Sequence, residues 1–137
     1  MAAMDNKELV RSRMEKGCIQ HDMDAAWELV SDDYIMHDPT MPDFHGGREA
    51  HKALCQSFSD AMRDTHCTIE DQVAEGDRVV TRWTFSGCQT KDLPELPSKG
   101  KCFKVDGITI SRVADGKIAE EWVNIDALGM RKQLGSA

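Results

Sequence analysis

The hydrophobic period of this chain changes once, from helical spacing in the first half to strand alternation in the second. From Asp5 to about His21, and again from Asp24 to Val30, apolar residues recur three and four apart: Leu9, Val10, Met14 and Cys18 with Ile19, then Ala26, Trp27, Leu29 and Val30. A short "YIMHDP" reads as extended and is stopped by Pro39, and a "DFHGG" turn leads into a third helix from about Arg48 to Met62. Beyond it the chain reads as hairpins. "CTIEDQVAEGDRVVTRWTFSG" folds back about Gly76 and Asp77, and "KCFKVDGITISRVADGKIAEEWVNID" about Asp115 and Gly116. The "QTKDLPELPSKGK" between them, with two prolines and a glycine, is a loop. Helices first and strands afterwards imply an α+β fold with helices on one face of an antiparallel sheet. At 137 residues the chain forms one domain, 1–137.

A two-residue turn at Asp115 and Gly116 fixes an expected register. Ala114 pairs with Lys117, and counting back sets Ser111 opposite Glu120, Thr109 opposite Trp122, Gly107 opposite Asn124 and Val105 opposite Asp126. One face then carries Thr109, Ser111, Glu120, Trp122, Asn124 and Asp126, a mixture suited to a ligand cavity. The other carries Ile108, Ile110, Val123 and Ile125, an apolar band for which a second copy of the chain is the simplest cover.

Charge and motifs exclude several function classes. A net charge of −7 opposes a nucleic-acid or anionic-membrane partner, and no apolar run reaches the length of a membrane span. Five spread cysteines, without a C-x-x-C pair or a signal peptide ahead of them, suit reduced thiols in a cytoplasm. No H-E-x-x-H, clustered Cys/His set, G-x-S-x-G, G-x-G-x-x-G or P-loop is present, so neither a metal site nor a nucleotide cofactor is implied.

"HDP" (His37 to Pro39), "GGREAHKALCQSF" (Gly46 to Phe58), "VAEGDRVVTRWTFSG" (Val73 to Gly87), "DGKIAEEW" (Asp115 to Trp122), Asp126 and "QLG" (Gln133 to Gly135) follow one another in an order that resembles the SnoaL-like polyketide cyclases. These belong to the nuclear transport factor 2-like superfamily. The resemblance covers nearly the whole chain. It implies a cone-shaped NTF2-like barrel, a curved mixed or antiparallel sheet with helices closing a deep pocket, built as a homodimer. It also implies acid/base catalysis without a cofactor on a small hydrophobic carbonyl compound, with Asp126 matching the family's acid/base aspartate. Two family features are absent. Gly87, Cys88 and Gln89 carry no histidine after the tryptophan strand, and Ser111 and Arg112 stand where characterised cyclases place one. Arg82, Trp83 and Thr84 keep the arginine of related epoxide hydrolases without their carboxylate.

Each candidate has a plain alternative. Asp126 is an acid/base group or the N-cap of the "ALGM" turn, a role worth about 1 kcal/mol. His37 moves protons or satisfies the backbone near Asp38. Arg82 holds a substrate oxyanion or pairs across the hairpin with Asp71. Asn124, Trp122, Trp27 and Tyr34 complete the expected ligand wall, the aromatic residues doubling as core. Two functions from different classes remain: a cofactor-independent cyclase or isomerase, and a small-molecule binding domain without catalysis.

Overall fold

The computed structural model describes residues 5–135. Helix α1 (Asn6–Met14) runs into a π-helical segment (Glu15–Ile19), followed by α2 (Met23–Glu28), β1 (Val30–His37) and α3 (Arg48–Asp60). Then come β2 (Met62–Glu75), β3 (Arg78–Gln89), β4 (Cys102–Ala114), β5 (Lys117–Ile125) and α4 (Ala127–Leu134). Aspartates start three of the helices. Asp5, Asp22 and Asp126 each accept a backbone N–H of the first turn, at 2.7, 3.0 and 2.9 Å. No described helix is long and apolar enough to cross a membrane.

The five strands form one sheet in the order β1-β5-β4-β3-β2. The three long ladders are antiparallel, while β1 lies parallel to β5, so the sheet is mixed. Both hairpins turn where the sequence places them. Glu75 pairs with Arg78 around Gly76, and Ala114 pairs with Lys117 around Asp115 and Gly116, with φ of 52° and 76° as a tight primed turn requires.

The second hairpin departs from the expected register after two pairs. Val113 pairs with Ile118, but Arg112 pairs with Glu120, leaving Ala119 as an extra residue on β5. Ser111 therefore meets Glu121, Thr109 meets Val123, and Gly107 meets Ile125. Every β5 side chain beyond the bulge turns to the face opposite the expected one, because strand side chains alternate. Glu121, Val123 and Ile125 point to the helical side. Glu120, Trp122 and Asn124 join Ile108 and Ile110 on the outer side. The expected band of Ile108, Ile110, Val123 and Ile125 is thus split between the faces.

The helices cover the inner face in two apolar clusters. One gathers Leu9, Val10, Trp27, Val30, Tyr34, Val79, Val113 and Ile118; the other gathers Met62, Leu96, Phe103, Val105 and Leu134. The closing "QLG" seals the second. Below Gly107, β4 has no β5 neighbour, and the Gln133 amide takes its place, accepting from Lys104 N at 2.8 Å and donating to Lys104 O at 3.0 Å. Leu134 is fully buried, and Gly135 ends α4 with φ of 86°.

The expectation of five reduced thiols needs one correction. Cys88 and Cys102 face each other across β3 and β4 and are joined by a disulfide, while Cys18, Cys55 and Cys67 are free. The two partners lie far apart in sequence and come together only through strand pairing at the base of the loop. Since Leu134 is fully buried in the second cluster, Leu134→Ala should cost about 2–5 kcal/mol, read as a lower urea midpoint at unchanged slope.

Candidate active site

Between the two apolar clusters the inner face carries a layer of polar groups. Glu121, aimed inward by the bulge, is 1% exposed. Its Oε1 accepts from Arg13 Nη1 at 2.7 Å and from the Tyr34 hydroxyl at 2.7 Å, and its Oε2 accepts from the Ser111 hydroxyl at 2.6 Å. Arg13 arrives from α1, Tyr34 from β1, Ser111 from β4 and Glu121 from β5. The Arg13 guanidinium also lies over the Trp27 ring, 4.8 Å from its centroid. His51, on α3 and buried, packs edge-on against Tyr34 and Phe44, at 5.7 and 4.8 Å between centroids.

The environment sets the protonation of these groups. Burial alone would lower the Arg13 guanidinium, but the Glu121 carboxylate, with smaller pulls from Tyr34 and two thiols, raises it above its ordinary value. The Tyr34 phenol is pushed well up by burial and by the adjacent Glu121, so it stays a neutral donor. His51 is pushed down, chiefly by burial and then by Arg13, against the opposing pull of Asp38 and a backbone hydrogen bond at Gly46. A neutral imidazole and a neutral phenol therefore sit side by side, near a fixed cation.

Trp83 extends the layer. Its Nε1–H donates to Thr109 Oγ1 at 2.9 Å, and its ring lies over Gly107, where an added Cβ would come within 2.4 Å of it. Met14, Met23 and Met36 pack, partly buried, against the neighbouring cluster. Two surface depressions lie elsewhere, at the edge of the sheet. Among the described residues no group of three or more His, Cys, Asp or Glu could hold a metal ion.

The residues singled out from the sequence are divided between the two faces. Trp27 and Tyr34 are buried on the inner face. His37, Trp122, Asn124 and Arg82 lie on the outer face. There His37 stacks on Trp122 at 5.2 Å and its Nε2 meets Glu120 at 2.7 Å, while Arg82 pairs with Asp71 at 3.1 Å, as cross-strand counting expects. Asp126 stands at the end of β5, exposed, with Oδ1 capping α4. Arg13, His51 and Glu121 were missed. Arg13 and His51 each interrupt an apolar helical stripe, Val10 to Met14 and His51 to Cys55 and Phe58, which was the available signal.

The sequence pattern of the SnoaL-like polyketide cyclases matches residues 8–134. The chain belongs to that family. Among solved structures it is similar to TsrD from Streptomyces laurentii, with 26% identity over all of both chains and a TM-score of 0.86. It is also similar to IdmH from Streptomyces antibioticus, with 28% identity, 96% and 99% of the two chains covered and a TM-score of 0.80. A Catenulispora acidiphila protein described as having a ketosteroid isomerase-like fold shares the architecture at 18% identity, with 93% of each chain covered and a TM-score of 0.76. No curated protein matches the sequence significantly. Family and neighbours together support a small-molecule-binding NTF2-like domain.

Two predictions follow from the inner layer. Glu121→Leu strands the largely buried Arg13 cation and should cost about 3–5 kcal/mol, whereas adding Arg13→Met should recover most of it, measured by urea unfolding. His51 binds its proton less readily folded than unfolded. Its contribution is thus fully present above the ordinary histidine value of about 6.5 and is lost as pH falls below it toward the lowered folded value. Between pH 7.5 and pH 5, His51→Gln should lose less stability than the parent chain.

Proposed function

We propose that this SnoaL-like domain is a cofactor-independent cyclase-like or isomerase-like enzyme that shifts protons on a small, largely apolar carbonyl compound. The observation that carries this reading is the juxtaposition of a neutral imidazole with a neutral phenol and a fixed guanidinium in a polar layer held between two apolar clusters. Carbonyl chemistry by proton transfer needs a base that is unprotonated near neutral pH and a donor for the developing enolate. His51 suits the first role. Arg13 suits the second, since Glu121 accepts from only one of its several N–H groups, while the single O–H of Tyr34 is given to Glu121 and holds that carboxylate in place. The partly buried methionines beside the layer are unbranched and adaptable, so they could yield to a ligand.

A second placement of the base rests on Asp126. Its Oδ1 is engaged by the cap, but its Oδ2 stands over Gly129, where an added Cβ would come within 2.1 Å. The glycine thus keeps space around a carboxylate that is free to do more than cap.

One experiment separates these readings. Ketone probes of polyketide or steroid type are incubated with the protein in deuterated water, and label uptake at the α carbon is followed by mass spectrometry. On the His51 reading, His51→Gln should lower enzyme-dependent exchange by roughly 10² to 10⁴ and Asp126→Asn should leave it unchanged. The reverse result would move the base to Asp126. Probe binding without exchange in the parent chain would instead support a binding domain without catalysis.

We also propose a homodimer through the outer face. Val80, Ile110 and Trp122 form a cross-strand row there, flanked by Ile108 and Ile35, which are 46% and 51% exposed. Ile108→Lys with Ile110→Lys should give monomer or aggregate in light scattering; a clean dimer would refute the interface.

A further inference from the structure

Where α3 hands the chain to β2, at the outer edge of the sheet, a hollow of about 440 Å³ opens on the surface. His21 reaches it from the turn after the π-helical segment, Ser59 from the last turn of α3, and Arg63, Asp64, Thr65 and His66 from β2. Buried Met62 is the only apolar residue among its walls. His21 joins the three elements: its Nδ1 lies 3.5 Å from Ser59 Oγ and its Nε2 3.3 Å from Thr65 Oγ1. None of these residues takes part in the inner polar layer, and the two imidazoles and the carboxylate form no metal-ligand group.

The backbone is bent to build this hollow. His21 has φ of 56°, at the position after a helix cap that glycine ordinarily fills. Asp64 has φ of 53° within a bulge: Arg63 pairs with Cys88 and His66 with Ser86, so Asp64 and Thr65 are set against Gly87 alone. A left-handed backbone is unfavourable for residues that carry a Cβ, and here two of them face one hollow with their side chains retained. The bulge also aims Thr65 and His66. Thr65 packs against Gly87, where an added Cβ would come within 3.1 Å of the threonine Cγ2.

The lining is rich in donors. Arg63 gives one N–H to Asp64 and keeps the rest. A neutral imidazole donates from one nitrogen only, so one of the two hydroxyls that His21 bridges keeps its own O–H, and His66 adds a ring N–H. The nearby acceptors are engaged. Asp64 is held by Arg63, Asp60 accepts from Gln56 Nε2 at 2.9 Å, the Ser57 and Phe58 carbonyls share the Ala61 N–H, and the Ala61 carbonyl meets Thr90 N. We propose that this hollow is a phosphate-binding subsite that takes the phosphomonoester end of a small molecule. Its donors come from three elements rather than from one plane, which suits a tetrahedral oxyanion better than a flat carboxylate, and the Arg63 guanidinium supplies charge-assisted bonds. The volume exceeds what a bare phosphate fills and leaves room for the group that carries it.

The full chain tests this directly, since its five histidines report on the hollow and on places away from it. Imidazole proton signals are followed by NMR at fixed pH while inorganic phosphate, glycerol 3-phosphate or acetate replaces chloride at constant ionic strength. Both phosphates should shift His21 and His66 along saturable curves with Kd of about 1 mM or tighter, while His37, His45 and His51 stay in place. Glycerol 3-phosphate should bind at least as tightly as inorganic phosphate, and acetate about tenfold more weakly. Arg63→Gln, at an exposed position, should weaken glycerol 3-phosphate about tenfold. Signals of His21 and His66 that do not move, that move without saturating, or that move in parallel with the other three would overturn the site, and this titration of the parent chain requires no variant to fold. So would an Arg63→Gln chain that binds as the parent does. Acetate binding as tightly as glycerol 3-phosphate, or inorganic phosphate bound with the phosphomonoester excluded, would overturn the assignment of the ligand.

Discussion

One extra residue in β5 decides which chemistry the cone can hold. With two β5 residues set against one on β4, the bulge at Ala119 reverses the facing of everything from Glu120 to Ile125. Without it the inner layer would receive Glu120, Trp122 and Asn124, and Glu121 would face solvent. With it, Glu121 enters the interior and gathers Arg13, Tyr34 and Ser111, one partner from each of three other elements. The bulge also leaves Ile118 in the apolar cluster, so the hairpin serves a hydrophobic core at its turn and a polar layer farther along.

That polar layer is expensive to keep. Taking a guanidinium and a carboxylate out of water costs several kcal/mol each, and their attraction repays it only when the remaining donors and acceptors are also met. Here Glu121 is met on both oxygens, and Arg13 has both a counter-ion and the Trp27 face. The arrangement is therefore tolerable, yet an apolar layer of the same volume would be at least as stable. Its position, sandwiched between two clusters that already hold the fold, is what a site requires: rigid walls above and below and a few oriented polar groups in between.

Much of the architecture was legible because it rests on local signals. The change of period located the helices and strands, and the "EGDR" and "ADGK" turns located both hairpins to the residue. The pairing of Arg82 with Asp71 followed from counting, since both irregularities in that ladder lie beyond Asp71. The same counting failed on β5, because nothing in "KIAEEW" marks which residue will bulge. The choice is made by tertiary burial of Ile118 and Ala119. The candidate site inherited that error, so Trp122 and Asn124 were placed with the wrong face. His51 and Arg13 were hidden differently. Each stands in an apolar stripe where a polar residue reads as noise until the neighbouring elements supply its partners. The Cys88–Cys102 bond was hidden too, since it depends on long-range register.

Asp126 joins these levels at the other end of β5. It ends the strand, its N–H bonding to Asp106 O at 3.3 Å, and starts α4 with its side chain. The helix it starts then swings beneath the sheet so that Gln133 completes the open edge of β4 at Lys104 and Leu134 fills the second cluster. A cap that merely began a surface helix would be replaceable by any good N-cap residue. This one sets the entry angle of a helix whose far end must meet two backbone groups of a strand and one buried cavity. The spacing from Asp126 to Gln133, Leu134 and Gly135 is therefore a single geometric unit. The "D…QLG" signature reads as the closure of the cone before it reads as chemistry, and any catalytic duty of Asp126 is added to a position that the fold already requires.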